Sequence, residues 1–477
     1  MRLLASALAL ALTASASAQS PDGPAPEAEA RRGSDPLAVR YELGKRLRRF
    51  ERAWEGLAPD SPDRAAAAAA MQGAVRRFFG LDLAGVGAEL DRGLLAMLGE
   101  SAADDGATDL LALTPRPQAR VLAPGEELVV VIESGSGDEP GPAFELELSG
   151  LGATHAQRID ASARWPLRVA LRAPAAVGDY ALHTRFVRGG RGIAFPEQTI
   201  SVVEDAADRL AALDAALRGE ARGRALERAS LDGQLRLLRP LLAGRGAETD
   251  YPAARLLAEA ETLAAALATD GAVYDARWHG ETWLRVPLGR RTVIARVLVP
   301  PRAAEQAGPR PIVLALHGMG GSENLFFDGY GDGAITRLCA ARGWVLVAPR
   351  MLNAADAAAL LDLVAERFAG DRDAVYVVGH SMGAATAIAA AQRPGSRFRA
   401  LAALGGGGSL ERPAELAGLP VFVGVGSEDF ALGAARNLAR GLRRAGLERV
   451  ELREYAGIEH MLIVQDALDD VFAFFAR

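Results

Sequence analysis

The sequence predicts a multi-domain protein whose carboxyl-terminal part is a doubly wound, mostly parallel α/β sheet, preceded by helical segments and a small all-β sandwich. Its 477 residues exceed the size of a single ordinary hydrophobic core. A helical stretch gives way to short apolar runs separated by Gly, Pro and Asp, and strand-like runs then alternate with helical ones to the end. Half of the residues are hydrophobic and 24% are charged, which is typical of a globular chain.

The amino-terminal segment MRLLASALALALTASASAQS has the pattern of an export signal. Arg2 carries its single charge, an apolar core follows from Leu3 to Leu12, and small residues suit cleavage after Ala16 or Ala18. The apolar core is well short of the about 20 residues that span a bilayer. We therefore expect a signal peptide over 1–18, a linker over 19–35, no membrane span, and a mature protein that is secreted or periplasmic.

Three regions follow the linker. Apolar residues at helical spacing predict a helical region over 36–113 and a second one over 205–269, which we expect to pack on the first. Between them, runs such as EELVVVIESG and GDYALHTRFV are separated by turn-forming residues. Their spacing predicts an immunoglobulin-like β-sandwich over 114–204.

Residues 270–477 alternate strands with helices. TWLRVPL and RTVIARVLVP predict a hairpin, and the strands that follow are PIVLALHG, WVLVAPR, AVYVVGH, ALAALGG, PVFVGVG and RVELREYAG. Helices are expected over 333–342, 354–369, 382–393, 432–446 and 462–476. Apolar strands joined by helices indicate a doubly wound parallel sheet, whose reactive residues lie at the carboxyl ends of its strands.

The stretch VVGHSMGAA places Ser381 at the corner between a strand and a helix. It contains the pattern G-x-S-x-G, in which Gly379 and Gly383 let the strand and the helix approach closely around a strained serine. A serine hydroxyl becomes a nucleophile when a base takes its proton, a third group orients the base, and donors receive the charge on the attacked oxygen. Ser381 is therefore a candidate nucleophile.

The base can be sought among only six histidines: His155, His183, His279, His317, His380 and His460. The first three precede the parallel strands. His380 adjoins the serine on its strand, where alternation points it away, and His317 ends LALHG, where we expect it to brace the next loop. His460, in YAGIEHM just after the last strand, remains as the candidate base.

This pattern resembles the α/β-hydrolase fold family, serine esterase type, over about residues 271–477. The family's triad runs serine, acid, histidine along the chain, so the resemblance implies Ser381 as nucleophile, Asp429 in GVGSEDF as acid and His460 as base. The adjacent Glu428 leaves the choice of acid open.

The resemblance also implies an oxyanion hole. HGMGG, residues 317–321, matches the family's loop after an early strand. By that match the backbone NH groups of Met319 and Met382 are the oxyanion donors, with Gly320 as the alternative to Met319.

The segment LGGGGSLERPAELAGLP leaves no room for the helical cap that many family members carry before the next strand, so we expect an open site without a cap. Phe326, Phe327 and Tyr330 either line its cleft or anchor their loop in the core. The sequence resembles feruloyl esterases, acetyl-xylan esterases and polyester depolymerases, which implies a carboxylic ester hydrolase acting on small or polymeric esters through an acyl-enzyme on Ser381. The alternatives are a serine peptidase of the prolyl-oligopeptidase type and an inert binding protein.

Other functional classes find little support in the sequence. The formal net charge of -6 gives no reason to expect nucleic-acid binding. Neither GMGGSE nor GGGGSL completes a phosphate-binding motif, and no His, Cys and carboxylate cluster has metal-ligand spacing. The single cysteine, Cys339, is expected to be a buried apolar residue. We therefore expect no cofactor and no metal, and the oligomeric state is left open.

Overall fold

The computed structural model describes residues 36–98, 107–134, 143–160, 163–219, 224–269, 271–301 and 308–477. The signal peptide and the linker expected over 1–35 lie outside these residues. Within the described ranges, no helix combines the length and the apolar character needed to cross a bilayer.

The first described elements are helices: α1 Pro36–Glu55, α2 Asp63–Phe79, α3 Leu83–Leu98 and the short α4 Ala107–Leu111. Apolar residues at helical spacing give α1 a buried face that includes Phe50 and Trp54. The Trp54 indole donates a hydrogen bond to Asp466, far along the chain. The first helical region is thus anchored to the carboxyl-terminal part of the protein.

The described residues of the next region contain nine strands: β1 Leu113–Pro117, β2 Val121–Leu122, β3 Glu127–Ser134, β4 Phe144–Ser149, β5 His155–Ile159, β6 Leu167–Arg172, β7 Gly178–Arg188, β8 Arg191–Ala194 and β9 Gln198–Val202. They form a three-stranded sheet, β1-β3-β6, and a six-stranded sheet, β2-β9-β7-β4-β5, in which β8 pairs with β7. Alternate residues of β3 and β4 are buried in one core, as half-buried strands require. The immunoglobulin-like type of this region, and its independence as a domain, stay predictions.

The second helical region contains α5 Ala206–Arg218, α6 Ala225–Leu242 and α7 Ala253–Thr269. Its expected packing on the first helical region is wrong. The buried leucines of α6 and α7 instead share a core with Leu284 and Val286 of the following hairpin. Contact with α1 is polar and is made by the loop after α6, where Asp250 accepts a hydrogen bond from Tyr41 over 2.8 Å. Apolar burial therefore directs these helices to the large sheet.

The large sheet has eight strands in the order β10-β11-β13-β12-β14-β15-β16-β17. They are β10 Gly280–Leu288, β11 Arg291–Val299, β12 Arg310–Leu316, β13 Val345–Pro349, β14 Gly370–His380, β15 Phe398–Leu404, β16 Val421–Gly426 and β17 Val450–Tyr455. The predicted hairpin is confirmed, since β10 and β11 pair antiparallel. β11 also runs antiparallel to β13, and every later neighbour pair is parallel.

Helices cover both faces of this sheet. They are α8 Leu325–Asp328, α9 Tyr330–Arg342, α10 Ala357–Arg367, α11 Met382–Ala391, α12 Leu432–Arg444 and α13 Leu462–Phe475. Along β14, Val375 and Val377 join the core under α10, α11 and α12, whereas Tyr376 and Val378 join the core with α9 and α13. Burial on both faces explains the continuous apolar runs of these strands.

The chain order reverses between β12 and β14, because β13 lies on one side of β12 and β14 on the other. In open α/β sheets the ligand crevice lies beyond the carboxyl ends of the strands at such a reversal. His317 follows β12 and Ser381 follows β14. The predicted site residues therefore lie at the edge of the sheet that this topology favours.

Candidate active site

Ser381 occupies a strained turn between β14 and α11. Its backbone has φ 54 and ψ -114, a conformation that non-glycine residues rarely adopt. A Cβ added to Gly379 would lie 2.3 Å from the Gly383 carbonyl oxygen, and one on Gly383 would lie 1.9 Å from that of Leu316. Both glycines are therefore required for the close approach that the sequence predicted, and the turn presents the serine at the strand end.

His460 lies between Ser381 and Asp429. Its Nε2 is 3.0 Å from Ser381 Oγ and its Nδ1 is 2.8 Å from Asp429 Oδ1. A carboxylate only accepts hydrogen bonds, so Nδ1 carries the ring proton and donates a hydrogen bond to Asp429. Nε2 is then free to accept a hydrogen bond from the serine hydroxyl. His460 and Asp429 are both buried. The structure thus brings all three residues of the predicted triad together.

The two adjacent carboxylates after β16 point to different places. Asp429 Oδ1 contacts the imidazole and also accepts the Ala431 NH over 2.7 Å. Glu428 is exposed, and its Oε1 accepts a hydrogen bond from Ser427 Oγ. The geometry therefore favours Asp429 as the partner of His460.

A second histidine network lies behind the serine. His380 is fully buried, and its Nε2 is 2.8 Å from the His460 carbonyl oxygen, to which it must donate. Its Nδ1 then accepts from the Tyr330 hydroxyl over 2.6 Å, and that hydroxyl accepts the Gly318 NH over 3.3 Å. Burial, and after it the charge of His460, lower the pKa of His380 well below its ordinary value, so the ring is neutral. This network ties the loop after β12 to the backbone of His460.

Four backbone NH groups follow His317 in the predicted oxyanion loop, and among the described residues the NH of Gly320, the alternative donor, has no protein acceptor. That of Gly318 is used by Tyr330. Among the described residues, neither Met319 NH nor Met382 NH has a protein acceptor. Met382 is the first residue of α11, where helix geometry leaves the NH without an intrahelical partner. Both groups are therefore available to a ligand, and their role as oxyanion donors stays a prediction.

The aromatic residues that follow the predicted oxyanion loop are anchored in the core and do not line a cleft. Phe326, Phe327 and Tyr330 are buried core residues, which decides between the two interpretations that the sequence left open. The His317 ring nitrogens lie 2.7 Å from the Gly318 carbonyl oxygen and 2.6 Å from that of Arg350, in agreement with its expected bracing role.

Glu248, from the loop between α6 and α7, supports the same loop. It accepts hydrogen bonds from Ser322 and Asn324 and pairs with Arg350 at 3.0 Å. Burial opposes its ionisation, but the charges of Arg350 and Arg40 and the hydrogen bonds from Ser322 and Asn324 together hold its pKa below the ordinary value. An ionised carboxylate thus fixes the loop from outside residues 270–477.

A further buried carboxyl group adjoins the base. Glu459 Oε1 accepts the NH groups of Met461 and Leu462 and so caps α13. Burial, and to a lesser degree the charge of Asp429, raise the pKa of Glu459 to about 7, against the opposing backbone hydrogen bonds. No sequence pattern around Glu459 indicates that this residue is buried.

α2 reaches the site, a contact that no sequence pattern indicates. Gln72 donates to the Glu428 carbonyl oxygen over 3.2 Å, and the Phe79 ring contacts the Phe430 ring edge to face at 5.9 Å. The Phe430 ring in turn lies 4.2 Å from the His460 ring. The segment RRFFGL predicts a helix end, but nothing in it indicates what that end covers. The expectation of an open site stays a prediction, because Phe79 and Phe430 are both largely exposed at this edge.

The expected absence of a cap between β15 and β16 agrees with the chain's path. All residues of this connection, 405–420, are described, and they contain only the short 3-10 turn Pro413–Leu416. Among the described residues, Phe79 brings an apolar ring to this edge from the amino-terminal helices.

Within the described ranges, no group of three or more His, Cys, Asp and Glu side chains is placed to hold a metal ion. Cys339 is buried in α9, and burial raises the pKa of its thiol, as its expected apolar role requires.

No protein-family model and no curated relative matches the chain. Among solved structures, it is similar to a ferulic acid esterase, with 19% identity over 41% of this chain and 96% of that one and a TM-score of 0.35. It is also similar to an S-formylglutathione hydrolase from Staphylococcus aureus, with 16% identity over 43% and 100% of the two chains and a TM-score of 0.36. A third similar structure is an S-formylglutathione hydrolase from Agrobacterium tumefaciens, with 18% identity over 42% of this chain and 96% of that one and a TM-score of 0.33. Each likeness takes in well under half of this chain and is too distant to assign a function.

Proposed function

We propose that this protein is a serine hydrolase of the α/β-hydrolase type that cleaves carboxylic esters through an acyl-enzyme on Ser381. One observation carries the proposal. Ser381 Oγ, the His460 ring and Asp429 Oδ1 form a continuous hydrogen-bonded chain with separations of 3.0 and 2.8 Å. This is the arrangement that activates a serine for attack on a carbonyl carbon.

In the first half of the reaction, Ser381 Oγ forms a bond to the ester carbonyl carbon while its proton moves to His460 Nε2. Asp429 stabilises the resulting imidazolium through Nδ1 and holds the ring in the correct tautomer. His460 then passes the proton to the ester oxygen, the bond from carbon to this oxygen breaks, and the alcohol leaves.

In the second half, water takes the place of the alcohol. His460 removes a proton from the water as it attacks the acyl carbon, and returns the proton to Ser381 Oγ when the acid departs. In both halves the negative carbonyl oxygen needs donors. The unpartnered NH groups of Met319 and Met382 are the candidates for this role.

A panel of esters with an aminopeptidase substrate beside them tests the proposal. We expect hydrolysis of nitrophenyl and alkyl esters that falls to background in Ser381→Ala, with no cleavage of the peptide substrate. Cleavage of the peptide in preference to every ester would indicate a serine peptidase instead. No turnover of either class by folded protein would indicate a binding protein.

Export is a separate part of the proposal. It is supported by the charge, apolar core and small residues of the first twenty positions, and by candidate cleavage points after Ala16 and Ala18. Sequencing the amino terminus of exported protein should begin near Ser17 or Gln19. Exported protein that retains Met1 would contradict a cleaved signal.

A further inference from the structure

A group of half-exposed apolar side chains lies at the edge of the sheet where Ser381 is found. They are Phe79, Met319, Met382 and Phe430. Three of them follow strands of the large sheet or sit in the predicted oxyanion loop, so their position follows from the fold. Phe79 is different, because it ends α2, about 300 positions before the serine in the sequence. Its place here needs an explanation.

α2 is attached to both sides of the site. On one side Gln72 donates to the carbonyl of Glu428, in the loop that carries Asp429. On the other side the Phe78 ring packs on Gly320, since a Cβ added to that glycine would lie 2.3 Å from Phe78 Cζ. Gly320 has φ 79, so both its conformation and this contact require glycine. These attachments fix the position of α2 relative to the serine.

Phe79 and Phe430, which we name the aromatic rim, form a continuous apolar path to the base. Their rings meet edge to face, and Phe430 lies 4.2 Å from the His460 ring. Phe79 is nevertheless 46% exposed and Phe430 66% exposed, although burial of aromatic rings is strongly favourable. Two rigidly placed, exposed rings beside a reactive group are suited to bind an apolar part of a ligand.

The chemistry of His460 determines which part of the ester, the alcohol or the acyl group, contacts the aromatic rim. His460 hands its proton to the departing alcohol oxygen, so that oxygen must lie within reach of Nε2. A substituent on it lies next to the residues that flank the imidazole, and Phe430 flanks it directly.

We propose that the aromatic rim binds the alcohol part of the ester, and that α2 thereby makes the protein selective for esters of bulky apolar or aromatic alcohols. This inference rests on the proposed ester hydrolysis and deepens it. It assigns to the amino-terminal helical region a specificity-determining residue, Phe79, that contacts the substrate.

The test compares Phe79→Ala with the unaltered full-length protein on three esters. Methyl acetate is the reference, 2-naphthyl acetate enlarges the alcohol, and methyl hexanoate enlarges the acyl group. Comparing the variant with its parent on the same ester cancels differences in leaving-group reactivity. We expect kcat/KM to fall about tenfold for 2-naphthyl acetate and by less than about twofold for both methyl esters. Phe79 is half-exposed, so its truncation should leave the melting temperature nearly unchanged.

Val177→Ala is the matched control, because Val177 is a similarly exposed apolar residue between β6 and β7. It should leave kcat/KM unchanged for all three esters. An equal loss on all three esters in Phe79→Ala would overturn the inference, since it would show that Phe79 only supports the catalytic loops. A loss confined to methyl hexanoate would overturn it by placing the acyl group on the rim. If the unaltered protein hydrolyses none of the esters, the proposed function itself fails, and this inference with it.

Discussion

His460 Nδ1 lies 2.8 Å from Asp429 Oδ1, and the two side chains are only 5% and 0% exposed. The hydrogen bond is thus shielded from water, and it holds the imidazole in one tautomer and one orientation. Glu428, one position earlier, is directed to solvent. The difference between these neighbours gives a direct test of the candidate acid.

Asp429→Asn should lose about 10,000-fold in turnover while remaining folded, because an amide favours the wrong tautomer of His460. Glu428→Gln should be nearly normal. Steady-state rates on one ester, with melting temperatures for both variants, check this prediction. The opposite order of activities at comparable stability would transfer the role to Glu428.

Tyr330→Phe removes the hydroxyl that donates to His380 and accepts the Gly318 NH. The buried imidazole nitrogen and the buried NH then lack partners, which should cost about 1–3 kcal/mol of the free energy of unfolding. Because Gly318 begins the predicted oxyanion loop, we also expect kcat to fall about tenfold or more. Denaturant unfolding and ester kinetics measure the two effects.

Tyr180→Phe is the matched control for this prediction. Its hydroxyl also donates a single hydrogen bond, to the Ala176 carbonyl oxygen, but it lies in the β-rich region. It should change stability without changing kcat. Normal kcat in Tyr330→Phe would mean that the network supports only the fold.

Much of the large sheet and of the triad could be predicted from sequence because the signals are local. The continuous apolar runs predict strands β12 to β16. The glycines on either side of Ser381 indicate that a strand and a helix approach each other closely at one turn. The position of α2 could not be predicted in this way. It depends on contacts such as Phe78 with Gly320 and Gln72 with Glu428, which join distant parts of the chain and leave no periodic pattern. For the same reason the burial of Glu459 and the packing of α6 on β10 leave no recognisable sequence pattern.

Glu51 provides a pH-dependent test of the contact between α1 and the first residues of α9. Burial raises the pKa of Glu51 to about 8 from an ordinary value of 4.5, against hydrogen bonds from the backbone of Asp332 and its neighbours. A raised pKa means that the folded state binds the proton more tightly. The stability gained is therefore complete below pH 4.5 and is lost as the pH rises through about 8.

Glu51→Gln should remove this pH dependence. Thermal melts should show the variant gaining stability relative to the parent between about pH 5 and pH 9, since the parent must then bury a charge. Glu55→Gln, on the same helix but with a side chain 58% exposed, is the control and should follow the parent. A Glu51→Gln curve that also runs parallel to the parent would show that Glu51 does not titrate as stated.

Trp54 tests whether α1 and the large sheet unfold together. It is almost fully buried, and its indole donates to Asp466 in α13. Trp54→Ala should destabilise the protein by about 3–5 kcal/mol. We expect ester hydrolysis and helical circular dichroism to be lost in one shared transition. Two separate transitions would contradict this, if Trp54→Ala destabilises only the transition that does not abolish ester hydrolysis. That result would show instead that residues 36–113 form an independent domain.

The most direct test of the central claim is covalent labelling with a fluorophosphonate. Ser381 Oγ would form a bond to phosphorus, fluoride would leave, and His460 would take the serine proton. Mass spectrometry of the intact protein and of its peptides should find one adduct, on Ser381, that is absent in Ser381→Ala and forms far more slowly in His460→Gln. Folded protein that acquires no adduct, or that is labelled elsewhere while Ser381 stays unmodified, would contradict the account.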